Sequence, residues 1–169
     1  MKILILGAGK MGSFFVDLLS FDHETAVYDV DPKRLRFMYN TQRFTTVEEI
    51  EEFKPELVIN AVTLKYTLDV FRTIIPHLPS DCILSDIASV KTGFKEFYES
   101  TGMRYVSTHP MFGPTFANLG ALSTENAIII NEWDASSSAT CTIVSTSTSA
   151  NTHSTNTTRW WPTLSVRLL

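Results

Sequence analysis

Along the first two-thirds of the chain, short apolar runs alternate with amphipathic stretches, the pattern of βαβ units wound around a parallel sheet. Residues 2–6 open the series as a near-continuous apolar run, the form taken by a parallel strand covered on both faces. Phe14, Phe15, Leu18 and Leu19 then return at helical spacing. Residues 25–29 predict a second strand, and Pro32 opens a second helix from a position where a missing N–H costs nothing. A short third strand is expected at residues 43–45, followed by an acidic helix over 47–53. Residues 56–62 read as the fourth strand. Leu64, Leu68, Phe71 and Ile75 mark one face of a helix that Pro76 and Pro79 terminate. Residues 82–87 and 104–108 predict strands five and six, separated by a helix whose buried side is Phe94, Phe97 and Tyr98, and residues 127–130 predict one strand more. The fold class expected over residues 1–130 is α/β, with a doubly wound, mostly parallel sheet.

From residue 131 to residue 169 the pattern breaks. Roughly half of this stretch is Ser or Thr, no acid follows Asp134, and neither helical nor strand period survives. One reading is a Ser/Thr-rich tail without regular fold. The adjacent Trp160 and Trp161 fit that poorly and favour an out-of-frame translation. Tryptophan has a single codon, so Trp160-Trp161-Pro162 constrains the underlying DNA. Read one nucleotide earlier, those codons give Leu, Met or Val, then Val, then Ala. The codons before them permit an acidic, helix-forming stretch containing His-Asp-Glu.

Composition narrows the function classes. An apolar fraction of 44% with 19% charged residues suffices for a packed core, and 169 residues suit one domain or one and a fragment. A net charge of −4 offers no bulk attraction for nucleic acid or an anionic membrane. Cys82 and Cys141 form neither a disulfide framework nor a metal-ligand spacing, so no metal is expected. The apolar run at the start breaks at once into glycines, and no stretch is long enough to span a bilayer. A soluble, cytoplasmic protein is the expectation.

Gly7-Ala8-Gly9-Lys10-Met11-Gly12 matches G-x-G-x-x-G between a predicted strand and a predicted helix. Gly7 permits the tight turn, Gly9 the approach of a pyrophosphate, and Gly12 close packing of helix on strand. The N–H groups of the helix start, around Lys10 and Met11, would face the phosphates. Asp29, at the end of the second strand, stands about where a carboxylate binds the adenosine ribose and repels a 2′-phosphate. A dinucleotide-binding Rossmann domain taking NAD, with NADP less favoured, is expected. Lys33 and Arg34 follow closely enough to soften that preference.

Two further stretches fall at the carboxyl ends of later strands, where open α/β sheets bind ligands: residues 85–92, with Ser89 and Lys91, and residues 107–114, with His109. By position Ser89 serves equally as a helix cap or a substrate contact. Lys91 is expected in the first turn of the following helix, where a cation opposes the dipole, which favours a role in holding an anion. His109 is either tied structurally into a Pro-rich loop or placed for proton chemistry near neutral pH.

The glycine fingerprint, the Asp-x-x-Ser-x-Lys stretch from Asp86 to Lys91, and His109-Pro110-Met111-Phe112-Gly113-Pro114 together resemble the prephenate/arogenate dehydrogenase family. The last segment is the most specific of the three. The resemblance implies NAD-dependent oxidative decarboxylation of prephenate to 4-hydroxyphenylpyruvate in tyrosine biosynthesis, with prephenate or arogenate as the small-molecule substrate. It implies His109 and Ser89 as catalytic groups and Lys91 as a contact to a substrate carboxylate. Family members continue into a helical domain that dimerises and completes the substrate site. Nothing after Ile130 resembles that domain, and an inactive, truncated chain is the corresponding expectation. Two alternatives stay open: another Rossmann oxidoreductase of the 3-hydroxyacid or imine reductase type, and a non-catalytic NAD-binding module.

The out-of-frame reading predicts a one-base insertion or deletion in the source gene near the codons for residues 130–134. An uninterrupted frame there, read from genomic DNA, contradicts it.

Overall fold

A computed structural model describes residues 1–113 together with the backbone of two strands at Asn126–Glu132 and Thr142–Ser145. Strands β1 (Lys2–Leu6), β2 (Glu24–Tyr28), β3 (Gln42–Phe44), β4 (Leu57–Asn60), β5 (Ile83–Asp86) and β6 (Tyr105–Pro110) alternate with helices α1 (Lys10–Leu19), α2 (Pro32–Leu35), α3 (Val47–Phe53), α4 (Thr67–Ile74) and α5 (Phe94–Thr101). Single 3₁₀ turns, Leu64–Tyr66 and Ile75–His77, flank α4. The sheet runs β3-β2-β1-β4-β5-β6, and every pairing within that series is parallel. Strands β7 (Asn126–Glu132) and β8 (Thr142–Ser145) extend it as antiparallel additions beyond β6. The expected doubly wound, mostly parallel sheet is therefore present.

Alternation along the strands explains the two-sided core. Successive side chains of a strand point to opposite faces. Leu4 and Leu6 of β1 join Val58, Leu84, Phe71, Ile74 and Tyr98 on the face covered by α3, α4 and α5. Ile3 and Ile5 join Val27, Ile59, Val16 and Leu19 on the face covered by α1 and α2. All four β1 side chains are fully buried, which is why that strand reads as an unbroken apolar run.

Most strand bounds shift by one or two residues from the sequence expectation, and three differences bear on the site or the tail. Helix α5 starts at Phe94 with Gly93 before it at φ +78°, so Lys91 lies in the preceding loop and not in a first helical turn. Strand β6 runs two residues past Thr108 because its end pairs with β7 (His109 opposite Ile128, Pro110 opposite Ala127), with a bulge between Ser107 and Thr108. Strand β8, the β-branched run Thr142-Ile143-Val144 with Ser145, falls in the stretch read as lacking any period. The remainder of 133–169, including Trp160 and Trp161 and the out-of-frame reading attached to them, lies outside the described residues.

One contact governs how α1 meets β1. A Cβ built on Gly12 would stand 1.9 Å from the carbonyl oxygen of Gly7, a backbone atom that cannot swing aside. Gly12→Ala is expected to destabilise the chain by about 2 kcal/mol or more, the cost of overpacking against backbone, whereas Gly9→Ala, with open space around its Cβ, changes stability by less than about 1 kcal/mol. Urea unfolding of the two variants reads the difference. Equal midpoints contradict the packing account.

Candidate functional site

The order of the strands reverses between β1 and β4, and the crevice at their carboxyl ends is where doubly wound sheets take ligands. A cleft of about 500 Å³ opens there, between the Gly7–Gly9 turn and Asp29 on one side and Ala61, Val62 and Thr63 on the other. Its size suits a small ligand or part of a dinucleotide.

Gly7 adopts φ +94°, and its N–H donates to the Tyr28 carbonyl at 2.8 Å, turning the chain sharply off β1. Gly9 caps α1 with its backbone alone, since no side chain fills the helix start and no acid lies in the first turn. The N–H groups of Lys10, Met11 and Gly12 therefore keep their positive partial charge for an anion. Gly9, with nothing within 4 Å of its absent Cβ, leaves room for that anion to approach. These features fit a pyrophosphate.

Asp29, only 8% exposed, holds the rim of the same cleft. Its Oδ2 accepts from the Ala8 N–H at 2.8 Å and its Oδ1 from the Asp31 N–H at 2.9 Å. The carboxylate thus ties the end of β2 to the glycine turn while keeping further acceptor capacity for a sugar hydroxyl. Arg34 stands 4.0 Å from it on an exposed side chain, a separation at which the pair adds little.

Further along the same carboxyl edge, Asp86 closes β5 with no exposed surface at all. Oδ1 accepts from the Ala88 N–H at 2.9 Å and from the Lys91 ammonium. Oδ2 accepts from the Tyr98 hydroxyl and the Ser107 hydroxyl, each at 2.7 Å. A carboxylate has about four lone-pair sites, so this one has no acceptor to spare. Lys91 donates in addition to the Thr108 carbonyl at 2.8 Å, and the Thr108 hydroxyl donates to the Asp86 carbonyl at 2.9 Å. Burial pulls the Lys91 ammonium below the usual lysine range, with the Asp86 charge working against that shift. Tyr98 is pushed well up by burial first and by the Asp86 charge second, so its phenol stays neutral and donates.

The register places Asp86 beside Ser107, so Ser89 follows three residues after the end of β5 and His109 lies two residues after Ser107, within the last part of β6. Ser89 is exposed and caps nothing, because α5 begins five residues later. His109 is half-buried on the end of β6. Phe112, beyond it, packs against Phe14 of α1 at 5.5 Å between ring centroids, which folds the segment after β6 back over the helix that starts at the glycine turn. The expected site residues thus lie along one carboxyl edge of the sheet.

Sequence reasoning missed four residues that shape this edge. Tyr98 was expected only as a core residue, and its helical spacing carries no sign of a hydroxyl aimed at a carboxylate. Ser107 and Thr108 sat in a strand segment whose partners no local pattern discloses. Asn60, 1% exposed, closes β4 and donates to the Thr67 carbonyl at 3.0 Å, tying the far wall of the cleft to α4. Its signal was available, since a polar residue ends an otherwise apolar strand next to β1. Among the described residues no group of acids, histidines and cysteines could hold a metal ion, and no helix is long and apolar enough to cross a membrane.

Residues 10–128 match the family model described as prephenate dehydrogenase, nucleotide-binding domain. A curated relative, "Probable arogenate/prephenate dehydrogenase" of Methanocaldococcus jannaschii, is 36% identical over 69 residues, which cover 39% of this chain and 16% of that protein. The crystal structure of prephenate dehydrogenase from Aquifex aeolicus, solved with hydroxyphenyl propionate and NAD+, superposes with a TM-score of 0.68 at 22% identity, over 79% of this chain and 51% of that one. An imine reductase from Bacillus cereus superposes at 0.58 with 18% identity, over 68% and 42% of the two chains. At such identities the structural likeness establishes the fold. The chain spans about half the length of these solved structures.

Two buried acids of low acidity, Tyr98 and Cys82, set an alkaline limit on the fold. Tyr98 is raised, and burial together with the Asp81 charge raises the Cys82 thiol to about 12. A folded-state pKa above the unfolded value gives stability that is complete below the unfolded pKa and is lost as pH rises toward the folded one. Melting temperature should therefore fall from about pH 8.5, where an unfolded thiol ionises, and more steeply above about pH 10. Tyr98→Phe should flatten the second phase, as read by thermal melts from neutral to alkaline pH. An identical profile in the variant contradicts the role given to Tyr98.

Proposed function

The chain belongs to the family of prephenate dehydrogenase nucleotide-binding domains, and from that premise we propose that it is the NAD-binding half of an enzyme oxidising prephenate to 4-hydroxyphenylpyruvate with loss of carbon dioxide. The observation that carries the reading is the common placement of the glycine turn, Asp29, Ser89 and His109 along one carboxyl edge of a parallel sheet. NAD, when bound, supplies the hydride acceptor. The N–H groups of Lys10, Met11 and Gly12 hold the pyrophosphate, and Asp29 takes the adenosine ribose and disfavours a 2′-phosphate.

His109 accepts a hydrogen bond from the hydroxyl on the substrate's ring, drawing the proton away as that carbon becomes a carbonyl. Ser89 orients the substrate or the imidazole. Lys91 brings a cation between the two strand ends, which an anionic substrate favours. The carboxylate then leaves as carbon dioxide and the ring becomes aromatic, which drives the step forward. Arogenate, with an amino group in place of the keto group, fits the same chemistry at the ring. A prephenate dianion needs more positive charge than Lys91 offers, so residues beyond the matched domain complete the substrate site. A broader oxidoreductase of the imine reductase type is the second reading, favoured by the similar superposition with that enzyme.

Titration calorimetry of the 169-residue chain should show NAD binding in preference to NADP, and Asp29→Ala should weaken NAD by roughly 10- to 100-fold, the worth of charge-assisted hydrogen bonds. Absence of NAD binding by the folded chain overturns the cofactor reading. The chain alone should form no measurable NADH from prephenate. In an enzyme comprising this domain and its catalytic partner domain, His109→Asn should lower kcat by about 10²- to 10⁴-fold. Turnover of an imine and none of prephenate by that enzyme would favour the second reading.

A further inference from the structure

We propose that Lys91 is a positioning residue for His109, acting with Asp86 as a buried clamp across the ends of β5 and β6. The inference rests on the reading of His109 as the group that meets the substrate, and it assigns Lys91 a function other than direct contact with a carboxylate.

The geometry carries it. Two of the three ammonium hydrogens of Lys91 are taken by groups of its own chain, the Asp86 carboxylate and the Thr108 carbonyl. The second of these acceptors belongs to the peptide group whose nitrogen is His109. Whatever holds that carbonyl fixes the plane from which the His109 side chain departs. Thr108 is held a second time through its hydroxyl to the Asp86 carbonyl, and Ser107 a third time through its hydroxyl to Asp86 Oδ2. Three hydrogen bonds thus converge on the two residues before His109.

The position needs such anchoring. Pairing of β6 with β5 reaches only as far as Ser107, and the ladder from β6 to β7 shifts between Ser107 and Thr108. A bulge re-aims the residue that follows it, and a re-aimed residue must be pinned if its direction is to be unique. The side chain of Lys91 is 16% exposed and that of Asp86 is fully buried. A charge pair so placed is costly to bring out of water and repays that cost through geometry. Breaking one side of it leaves an unpaired buried charge. Because Asp86 has no free lone pair, its carboxylate accepts no further hydrogen bond from a ligand.

The same clamp holds the Ser89 loop. Ala88 donates its N–H to Asp86, so the residue just before Ser89 is fixed by the carboxylate that fixes Ser107. Ser89 and His109 are set relative to one another by a single buried group.

The test is nuclear magnetic resonance on the isotopically labelled 169-residue chain, in which four histidines are present and His109→Asn assigns the relevant ring signal. In the unaltered chain, a scalar coupling across the hydrogen bond from Lys91 Nζ to the Thr108 carbonyl carbon is expected, and its absence with a sharp ammonium signal overturns the proposal. In Lys91→Met the ring signal of His109 should shift while those of His23 and His77 stay in place, and Lys91→Arg should bring it back toward its original position. Loss of stability alone would leave the ring signals of the folded fraction unmoved. Should Lys91→Met fail to fold, the pair Asp86→Asn with Lys91→Met removes both charges and is read the same way. An unmoved His109 signal in a folded variant overturns the proposal. If His109 moves on these changes yet His109→Asn leaves turnover of the two-domain enzyme intact, the clamp stands and the catalytic assignment of His109 fails instead.

Discussion

The carboxylate of Asp86 is the constraint on which the carboxyl edge of this sheet depends. It is wholly buried at the end of a central strand, and an ion of that size costs several kcal/mol to remove from water. The structure offsets that cost with one cation and three neutral donors, drawn from the loop after β5, from α5 and from β6. Because the four donors come from three different parts of the chain, the group can be satisfied only when all of those elements are in register. Hydrogen bonds to an ionised group are among the stronger ones, and leaving any donor site of this cluster unmade is expensive. The requirement to satisfy one charge therefore becomes a requirement on the position of Ser89 and His109.

A second carboxylate does comparable work at the nucleotide end. Asp29 joins the end of β2 to the glycine turn through the Ala8 N–H, as Asp86 joins β5 to β6. The two differ in what they have left. Asp29 is slightly exposed at the cleft and keeps acceptor capacity for a ligand, whereas Asp86 is saturated by protein groups. That difference separates a carboxylate open to a ligand from one enclosed by the protein. Between them, the close approach of Gly12 to the Gly7 carbonyl seats α1 on β1.

Much of this was legible in the sequence, for identifiable reasons. Strands β1 and β4 are buried on both faces and so read as apolar runs, and the spacing of Phe14, Phe15, Leu18 and Leu19 marks α1, with Phe14 and Leu19 among its buried residues and Val16 found only in the structure. The glycine fingerprint is a local backbone requirement and survives without tertiary information. The start of α5 was misplaced because Gly93, at positive φ, interrupts a segment whose Ser89 resembles a helix cap. The clamp was not legible, since Asp86, Tyr98 and Ser107 are brought together only by the crossover between neighbouring strands. An Asp at a strand end looks the same in sequence whether it is saturated or open to a ligand. Strand β8 escaped notice because its short β-branched run lies within a Ser/Thr-rich stretch that masks alternation.

The proposed site requires one sheet edge to present the nucleotide loop and His109 to the same ligand. A crystal structure of the chain with NAD tests it most directly. That arrangement predicts the pyrophosphate on the first turn of α1, the ribose on Asp29, and the nicotinamide ring between Ser89 and His109. A nicotinamide ring directed away from the end of β6, with His109 turned out of the cleft, would contradict it.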